Sequence, residues 1–498
     1  MPLIARTRAS RGRAAEASRL HQEVSGLRAA VEAEAAEILD RWRLRIERDE
    51  FLPSARNLAY YIALRHHDLR DLQLELMPLG LSSLGRCEAR VMPTLEAVIA
   101  ALAALGGEPD ESRAFDRDAF FEGHELLRCH TEAALGPTPP NRAVRIMVTL
   151  PSEAASDFAL VRELSAAGMD IARINCAHDD PHAWTAMAEH TRRAAAESGR
   201  PCRVCFDLTG PRSRVVSTTV PEDGRVHRGD RILMTPGPVP VPAEWPLQFE
   251  CSIGEVFAAL EPGAAVWVND GKLGLVVERK LDQGILLRVT KAREQGERLR
   301  RDRALNFPAT ELKLSPLTEK DLRDLDAIVP LADVIGYSFV QRPEDVARLQ
   351  AELARRDVPR RLPLVAKIET ALAVQSLPEL IVQGAGFQPL AIMIARGDLM
   401  VEVGHRRMAE IQEELLWLSE AAHVPVIWAT QVLDNFVKKG VRNRAEMTDA
   451  AMAERAEGVM LNKGPHAAEA VTLLDDLLGR MEGHQFKKAS RMRALRAW

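Results

Sequence analysis

The sequence predicts an α/β protein built around a closed (β/α)₈ TIM barrel, with a small inserted β domain and an all-α segment before it. Three observations favour this fold class. Eight short β-rich runs alternate with amphipathic helical stretches, one connection between two runs is far too long for a βα loop, and strand signals are scarce in residues 1–140. A doubly wound open sheet is the alternative for the same alternation.

Residues 1–140 are predicted to form a helical N-terminal extension. Stretches such as 23–50 and 90–105 carry apolar residues three and four positions apart, the spacing of amphipathic helices. The Arg-rich residues 1–19 fit a solvated basic arm better than a transit peptide. The segment PTPPNR at 137–142 is predicted to be a linker, because adjacent prolines cannot continue a helix.

The eight predicted strands are too apolar for their residues to alternate between a buried and a solvent-exposed face. This is expected for a parallel sheet covered on both sides. We expect the barrel to comprise residues 141–214 and 304–485, followed by a basic C-terminal tail at 486–498. The strand runs are RIMVTL from 145, DIARIN from 170, CRVCFD from 202, DVIGYSF from 333, PLVAKIE from 363, AIMIAR from 391, VPVIWAT from 424 and GVMLNK from 458.

The long connection between the third and fourth runs, residues 215–303, carries antiparallel strand signals and an Asp-Gly turn at Asp270 and Gly271. We expect it to fold as a small β domain. Because active sites of such barrels lie on the loops that follow the strands, a domain inserted there is placed to act as a lid.

Composition narrows the functional classes. The chain of 498 residues has 46% hydrophobic and 28% charged residues and a net charge of −5, which argues against a nucleic-acid partner. We expect a cytoplasmic protein without membrane attachment, since no apolar run reaches the roughly 20 residues of a spanning helix. Six cysteines in so long a chain do not indicate a disulfide framework.

Polar residues at the ends of the predicted strands should converge at one face of the barrel. Lys367 and Glu369 share a strand face, and Asp398 follows the next strand. Two carboxylates from adjacent strands suit Mg²⁺, and a nearby ammonium group suits an anion bridging to that metal. The other polar strand ends are Arg173, Asn175, Asp207, Ser338, Arg396, Gly397, Thr430, Gln431, Asn462 and Lys463.

Several motifs in one order make the chain resemble the pyruvate kinase family over roughly residues 143–480. The resemblance implies transfer of the phosphoryl group of phosphoenolpyruvate to ADP, giving pyruvate and ATP as in glycolysis, with Mg²⁺ or Mn²⁺ as cofactor. The resemblance also covers the inserted β domain. The motifs are AGMDIARINCAH, FDLTGPRSR, WVNDG, VAKIET, IARGDLMVEVG, VIWATQVLDNFVKK and RNRAEMTDAA.

The resemblance also implies roles for individual residues. Glu369 and Asp398 would hold the metal, and Lys367 would neutralise the phosphoryl group in flight. Arg173 would bind phosphate, while the amides around Gly397 and Asp398, with Thr430, would bind the substrate carboxylate. Thr430 would also lie near the carbon that is protonated. On the nucleotide side, under the lid that carries Asp270, the resemblance places Asn175, His178 and Arg214.

The monovalent-cation site of the family is degenerate in this sequence. Asn175 and Asp207 match two of its four ligands, but Ala177 and Leu208 replace the other two. The usual neighbouring Glu is Arg212, and some family members that work without potassium carry a Lys there. We expect activity that does not require K⁺, because a fixed guanidinium supplies the positive charge.

The eighth strand ends in Asn462, Lys463, Gly464 and Pro465, where the family has Ser-Gly-Glu-Thr. Lys463 is either a new anion contact or a solvated lysine, and the identity of the phosphate donor or acceptor stays open.

We expect a homo-oligomer that lacks the family's C-terminal domain and its effector site. The alternatives are an Mg²⁺-dependent aldolase or lyase acting on pyruvate-like acids, and a non-catalytic regulatory paralogue.

Overall fold

The computed structural model contains a closed barrel of eight parallel strands, in which each strand pairs with its neighbours in sequence and the first pairs with the last. The structure describes residues 2–107, 116–220, 223–238, 240, 242, 244–269, 271–308, 310, 312, 314–356 and 362–494. The barrel strands are β1 Arg145–Thr149, β2 Ile171–Asn175, β3 Arg203–Asp207, β4 Val334–Tyr337, β5 Leu364–Ile368, β6 Leu390–Ala395, β7 Val426–Ala429 and β8 Gly458–Leu461.

All eight predicted strand runs are confirmed, and the open-sheet alternative is wrong because β1 pairs with β8 in register from Arg145 opposite Gly458. Apolar side chains from alternate positions fill the interior, as in other barrels of this type. These interior residues include Met147, Ile171, Cys205, Val334, Val365, Ala391, Met393, Ile427, Ala429 and Met460.

Helices follow the barrel strands in chain order. Asp157 and Asp180 cap the first two by accepting hydrogen bonds from backbone amides in the first turn, and Thr318 forms a capping box with Asp321. The helices are Phe158–Ala167, Pro181–Ser198, Glu319–Ile328, Pro343–Ala354, Ala371–Gln375, Leu377–Ala385, Arg396–Val403, His405–Ala421, Asp434–Lys439, Arg444–Met452 and Ala467–Glu482.

Between β3 and β4 the chain forms a separate seven-stranded sheet, here called the lid, which confirms the inserted β structure. Most pairs are antiparallel as predicted, but Arg231–Thr235 pairs in parallel with Gln248–Cys251. Gly271 has φ of 78°, as a tight turn requires, whereas Asp270 lies outside the described residues. In spatial order the strands are Leu305–Asn306, Ala265–Val268, Leu273–Leu281, Gly284–Lys291, Arg231–Thr235, Gln248–Cys251 and Val215–Thr219.

The N-terminal segment is helical, as predicted. Its helices are α1 Pro2–Trp42, α2 Leu52–Arg65, α3 Arg70–Leu76, α4 Val91–Gly106 and α5 Arg117–Leu135. Ala134 and Leu135, at the end of α5, join the apolar interior of the barrel. Arg203 at the start of β3 donates to the carbonyl oxygens of Ala133 and Glu132, at 2.7 and 3.0 Å. The end of α5 therefore closes the face of the barrel opposite the predicted site.

A buried polar seam fastens α2 to the barrel helix His405–Ala421. The Asn57 side chain donates to the carbonyl oxygens of Glu88 and Ala421, at 2.7 and 2.8 Å, and accepts from the Val91 amide at 2.9 Å. His423 bonds Ser54 through Nδ1 at 2.9 Å. The buried side chains of Ser54, Asn57 and His423 all have partners, so the extension and the barrel are packed together through specific hydrogen bonds.

Residues at the end of the described chain also pack against the barrel. Gln485–Phe486 and Ala489–Ser490 form a two-stranded hairpin. Between them, Lys487 is 8% exposed, and its ammonium group forms an ion pair with Glu457 and donates to the carbonyl oxygen of Arg455 at 3.0 Å. At least this part of the predicted basic tail is thus anchored.

One segment among the described residues, Glu88–Gly106, is long and apolar enough to cross a membrane by length and composition, with a mean hydropathy of 1.5. From the sequence, residues 90–105 of this segment are predicted to form an amphipathic helix and not a membrane span. Half of it is buried inside the fold, where α4 packs along α1. Core helices of this kind pass the same test.

Candidate active site

The predicted site residues converge on one cavity of about 440 Å³ at the carboxyl ends of the barrel strands. The barrel places them there because parallel strands end at one face. Arg396, Lys463, Gly464 and Pro465 do not line it. The predicted residues that do are Arg173, Asn175, His178, Asp207, Arg212, Arg214, Ser338, Lys367, Glu369, Gly397, Asp398, Thr430, Gln431 and Asn462.

Asp207 joins the two buried cations of the site. The Arg173 guanidinium donates to Asp207 Oδ2 through Nε at 3.0 Å and forms a second, closer contact through Nη2. Lys367 Nζ lies 3.3 Å from the same oxygen and donates to Ser338 Oγ at 2.7 Å. Arg173 is oriented further by Thr149, whose Oγ1 accepts from Nη1 at 2.9 Å. The second carboxylate oxygen of Asp207, Oδ1, is buried without a hydrogen bond.

These groups keep their charges despite burial. Burial alone would lower the pKa of Lys367, but the carboxylates of Asp207 and Glu369 outweigh it, so the pKa is raised. For Asp207, burial raises the pKa, and the positive charges of Arg173 and Lys367 more than reverse the effect, so the pKa is lowered. The site is therefore an array of ionised groups with two cations facing a cavity.

Glu369 and Asp398 both face this cavity, as expected for the predicted metal ligands. Glu369 Oε1 lies 3.1 Å from Lys367 Nζ, and Oε2 accepts the Phe339 amide at 2.6 Å. Asp398 Oδ1 lies 3.1 Å from Arg212 Nη2. Burial raises the pKa of Glu369, and the nearby Asp398 charge raises it further against the opposing effect of Lys367.

The donor set fits a hard divalent cation. Two carboxylates that repel each other at the edge of one cavity gain from a cation between them, and carboxylate oxygens keep lone pairs after one hydrogen bond. Within the described part of the chain, no cluster of three or more His, Cys, Asp or Glu side chains has metal-site geometry. A metal here would therefore take its remaining ligands from substrate and water.

Thr430 occupies a strained backbone conformation. Its φ is 66°, which is rare for a β-branched residue, and that of Gln431 is 58°. The Gly397 amide donates to Thr430 Oγ1 at 2.8 Å, and Arg396 Nη2 donates to the Thr430 carbonyl oxygen at 2.7 Å. Backbone strain held by such contacts is typical of functional positions.

The residues predicted for the nucleotide side lie on the wall below the lid. Asn175 Oδ1 accepts the Ala177 amide at 3.1 Å, and Arg214 donates to the Asp302 carbonyl oxygen at 3.1 Å. Burial lowers the pKa of His178, and the positive charge of Lys463 lowers it further. Lys463 is exposed and does not line the cavity, but its effect on the pKa of His178 indicates that it lies near this wall.

The degenerate monovalent-cation positions are partly occupied by other contacts. Leu208 is 1% exposed, and Asp207 Oδ2 is taken by Arg173 and Lys367. Asn175 Oδ1 faces the amide of Ala177. The second oxygen of Asp207, Oδ1, has no hydrogen bond among the described residues.

Glu402 was not predicted from the sequence. It lies in a second cavity of about 260 Å³ at the base of the lid, beside Pro211, Phe339 and Thr370. Burial raises its pKa to about 7, and the Asp398 charge contributes. The available signal was its position four residues after Asp398, one helical turn along the same face. Other lining residues of the main cavity that were missed are Lys272, Met400, Asp434 and Lys438.

A model described as "Pyruvate kinase, barrel domain" matches residues 141–470. The chain is 32% identical over 349 residues to a pyruvate kinase of Methylorubrum extorquens, covering 69% of each chain. The chain belongs to the pyruvate kinase family. Pyruvate kinase 1 of Trypanosoma brucei brucei is 30% identical over 345 residues, covering 67% of this chain and 66% of its own.

A crystal structure of a pyruvate kinase from Cryptosporidium parvum has the same fold, with a TM-score of 0.61 and 24% identity over 70% of this chain and 72% of that one. The match to the pyruvate kinase family model starts at residue 141, so it does not include α1 to α5. The resemblance noted from the motifs is thus confirmed at the level of family and fold.

Proposed function

We propose that this pyruvate kinase family member transfers the phosphoryl group of phosphoenolpyruvate to ADP, giving pyruvate and ATP. The observation that carries the proposal is the meeting of two buried cations, Arg173 and Lys367, with two carboxylates, Glu369 and Asp398, in one cavity. Phosphoryl transfer depends mainly on positioning and on neutralising charge, which such an array supplies.

In the proposed reaction, the bond between phosphorus and the enol oxygen of phosphoenolpyruvate breaks as a bond forms to a terminal phosphate oxygen of ADP. The leaving enolate then takes a proton at its methylene carbon. Lys367 and Arg173 hold positive charge beside the group in transit. The raised pKa of Lys367 keeps its ammonium group charged at neutral pH. Asp207, which contacts both cations, positions them.

Thr430 binds and orients the substrate in this proposal. Its hydroxyl oxygen accepts the Gly397 amide, so its own proton remains available to donate to the substrate carboxylate. The contacts of Arg396 with the carbonyl oxygens of Ala429 and Thr430 hold this segment in place. The methylene carbon of the substrate would then lie close to the Thr430 hydroxyl.

Glu369 and Asp398 would hold Mg²⁺ or Mn²⁺, which when bound supplies positive charge to the oxygens of the substrate and of the transferred phosphoryl group. On the opposite wall, Asn175, His178 and Arg214 would bind ADP. We also infer that the reaction takes place in the cytoplasm and needs no K⁺. The Arg212 guanidinium beside Asp398 supports the second inference, because it places a fixed positive charge in the cavity.

The test is pyruvate formation from phosphoenolpyruvate and ADP with Mg²⁺, followed by coupling to NADH oxidation. Wild type should form pyruvate. Lys367→Met, which removes the charge with little change in shape, should lower kcat by about 100- to 1,000-fold, the effect of losing one stabilising donor. If wild type forms no pyruvate with any nucleoside diphosphate, the proposal is wrong, and the aldolase or non-catalytic alternatives gain support.

A further inference from the structure

A strained turn, residues 430–433 and here called the Thr430 turn, follows β7. Three of its residues, Thr430, Gln431 and Leu433, have positive φ values of 66°, 58° and 49°, although none of them is glycine. Such conformations are unfavourable for residues with a side chain and persist only when the surrounding structure holds them. The turn therefore needs contacts from other segments to keep Thr430 in the wall of the cavity.

The Arg396 guanidinium, at the end of β6, supplies two of these contacts. Its Nε donates to the carbonyl oxygen of Ala429 at 2.9 Å, and its Nη2 donates to the carbonyl oxygen of Thr430 at 2.7 Å. The next residue, Gly397, donates its amide to Thr430 Oγ1 at 2.8 Å. Arg396 does not line the cavity, so it holds the turn from outside the site.

A carboxylate on a further element fixes this guanidinium. Asp449, in the helix Arg444–Met452, accepts from Arg396 Nη2 through Oδ2 at 2.8 Å and from Nη1 through Oδ1 in a closer contact. Two such bonds in parallel set the plane of a guanidinium group. The Trp428 ring centroid lies 4.5 Å from Arg396 Cζ, and Trp428 Nε1 donates to Asp449 Oδ1 at 3.4 Å. Arg396 is thus fixed along its edge by Asp449 and on its face by Trp428.

The ion pair between Arg396 and Asp449 is largely shielded from water. The two side chains are 14% and 27% exposed, and Trp428 is fully buried. Removing one partner of a shielded pair leaves the other charge uncompensated, which has a larger effect than breaking a surface pair. Asp449 does not line the cavity, so it can act on a substrate only through Arg396 and the Thr430 turn.

We propose that Asp449 is a positioning residue of the active site, which holds the Arg396 guanidinium and, through it, the strained turn that presents Thr430 to the substrate. The inference rests on the proposed function, in which Thr430 binds the substrate carboxylate and lies near the carbon that is protonated. A carboxylate on a helix that follows β7 thereby sets the geometry of a group inside the site. Its loss should lower the rate of reaction and leave nucleotide binding unchanged.

The test is steady-state kinetics of Asp449→Asn, which keeps the shape of the side chain but places an amide group where the guanidinium needs a second acceptor. The kcat for pyruvate formation should fall about 10- to 100-fold, because small misplacements of positioned groups have effects of this size. The KM for ADP should not change, since the substitution does not touch the residues assigned to the nucleotide. A kcat equal to that of wild type would overturn the proposal.

The matched control is Asp475→Asn. It removes a carboxylate of similar exposure, 21%, that pairs with Arg142 at 2.8 Å before β1, at the opposite face of the barrel. This variant should keep the wild-type kcat. An equal fall of kcat in Asp449→Asn and Asp475→Asn would show a general effect of losing an ion pair and would also overturn the proposal.

A double-mutant cycle tests whether Asp449 acts through Arg396. Arg396→Lys keeps the positive charge but loses the planar set of donors that bonds two carbonyl oxygens and a carboxylate at once. If Asp449 acts through Arg396, the double variant Arg396→Lys/Asp449→Asn should lose little more kcat than Arg396→Lys alone. Losses that multiply in the double variant would mean that the two residues act independently, against the proposal.

Hydrogen exchange of the full chain tests the same inference without substrate. Peptides that cover residues 426–437 should exchange their backbone amides faster in Asp449→Asn than in wild type, while peptides from β1 to β3 should not change. Unchanged exchange at the Thr430 turn would overturn the positioning role. If wild type forms no pyruvate, the proposed function fails, whereas this measurement still decides whether Asp449 holds the turn.

Discussion

The Arg212 guanidinium lies 3.1 Å from Asp398 Oδ1, which joins the segment entering the lid to the helix after β6. The side chains are 35% and 16% exposed, so both remain open to the cavity. A permanent cation is thus fixed beside a proposed metal ligand. Under the proposed function, the pair would take the place of the monovalent cation, for which Ala177 and Leu208 offer no side-chain oxygen.

Replacing Arg212 tests this relationship. Wild type should be equally active in potassium and tetramethylammonium chloride. Arg212→Gln should lose about 10- to 100-fold in kcat/KM in both salts, the effect of removing one charged hydrogen bond. Potassium should not rescue the variant, because Ala177 and Leu208 offer no side-chain oxygen. The matched control is Arg279→Gln on the lid surface. A many-fold rise of wild-type activity on adding potassium would refute the role given to Arg212.

Glu369→Gln tests the metal assignment. The amide oxygen can still accept the Phe339 amide, so the fold should be retained, but one negative charge is lost. We expect the Mg²⁺ concentration for half-maximal activity to rise about tenfold or more. The measurement is pyruvate formation across a Mg²⁺ titration, with Glu197→Gln, an exposed change on a barrel helix, as control. Reduced activity with an unchanged Mg²⁺ requirement would show that Glu369 does not hold the metal.

Asn57→Ala tests the packing of the N-terminal helices on the barrel. The change leaves the carbonyl oxygens of Glu88 and Ala421 and the Val91 amide without their side-chain partner. Buried groups left unpaired in this way should cost about 3 kcal/mol of unfolding free energy. The thermal midpoint should fall clearly, while Asn141→Ala, at an exposed position, should leave it nearly unchanged. Equal midpoints for both variants would mean that the seam contributes little stability.

Glu420→Gln tests a buried carboxyl group between the barrel and the extension. Burial raises the pKa of Glu420 from 4.5 to about 7, and the negative charge of Glu88 opposes the effect of Lys487. The folded state binds this proton more tightly than the unfolded state does. The protonated carboxyl group therefore stabilises the fold at low pH, and this contribution to the unfolding free energy is lost as pH rises from about 4.5 to about 7. Glutamine does not ionise, so the variant does not lose stability in this way as pH rises.

The thermal midpoint of Glu420→Gln relative to wild type should therefore be more favourable at pH 8 than at pH 5. The corresponding difference in the free energy of unfolding is of the order of 1 kcal/mol or more. Glu197→Gln is the control for removing an exposed carboxylate. A midpoint difference that is the same at both pH values would show that Glu420 ionises as freely in the folded state as in the unfolded state.

The barrel could be predicted because its signals are local. The run that became β5 is continuously apolar up to Lys367, and amphipathic stretches separate such runs. Once the strands were placed, the convergence of Lys367, Glu369 and Asp398 followed from strand ends meeting at one face. These contacts depend on fold topology rather than on fine geometry.

Other contacts could not be predicted because they depend on register and backbone conformation. Arg173 and Lys367 share Asp207 across the inside of the barrel, although 34 and 160 residues separate them from it. The positive φ of Thr430 contradicts the preference of a β-branched residue, so local sequence gave no sign of it. In the lid, Arg225 pairs with Arg298 in a short antiparallel ribbon that joins segments far apart in the chain.

The central claim is phosphoryl transfer, and phosphorus-31 NMR tests it most directly. Wild-type protein is incubated with phosphoenolpyruvate, ADP and Mg²⁺, and the phosphorus signals are followed over time. If the chain transfers the phosphoryl group, the phosphoenolpyruvate signal disappears as the γ-phosphate signal of ATP grows in equal amount, and Lys367→Met slows both changes. Unchanged phosphoenolpyruvate with every nucleoside diphosphate tried, or its conversion to orthophosphate without ATP, would contradict phosphoryl transfer.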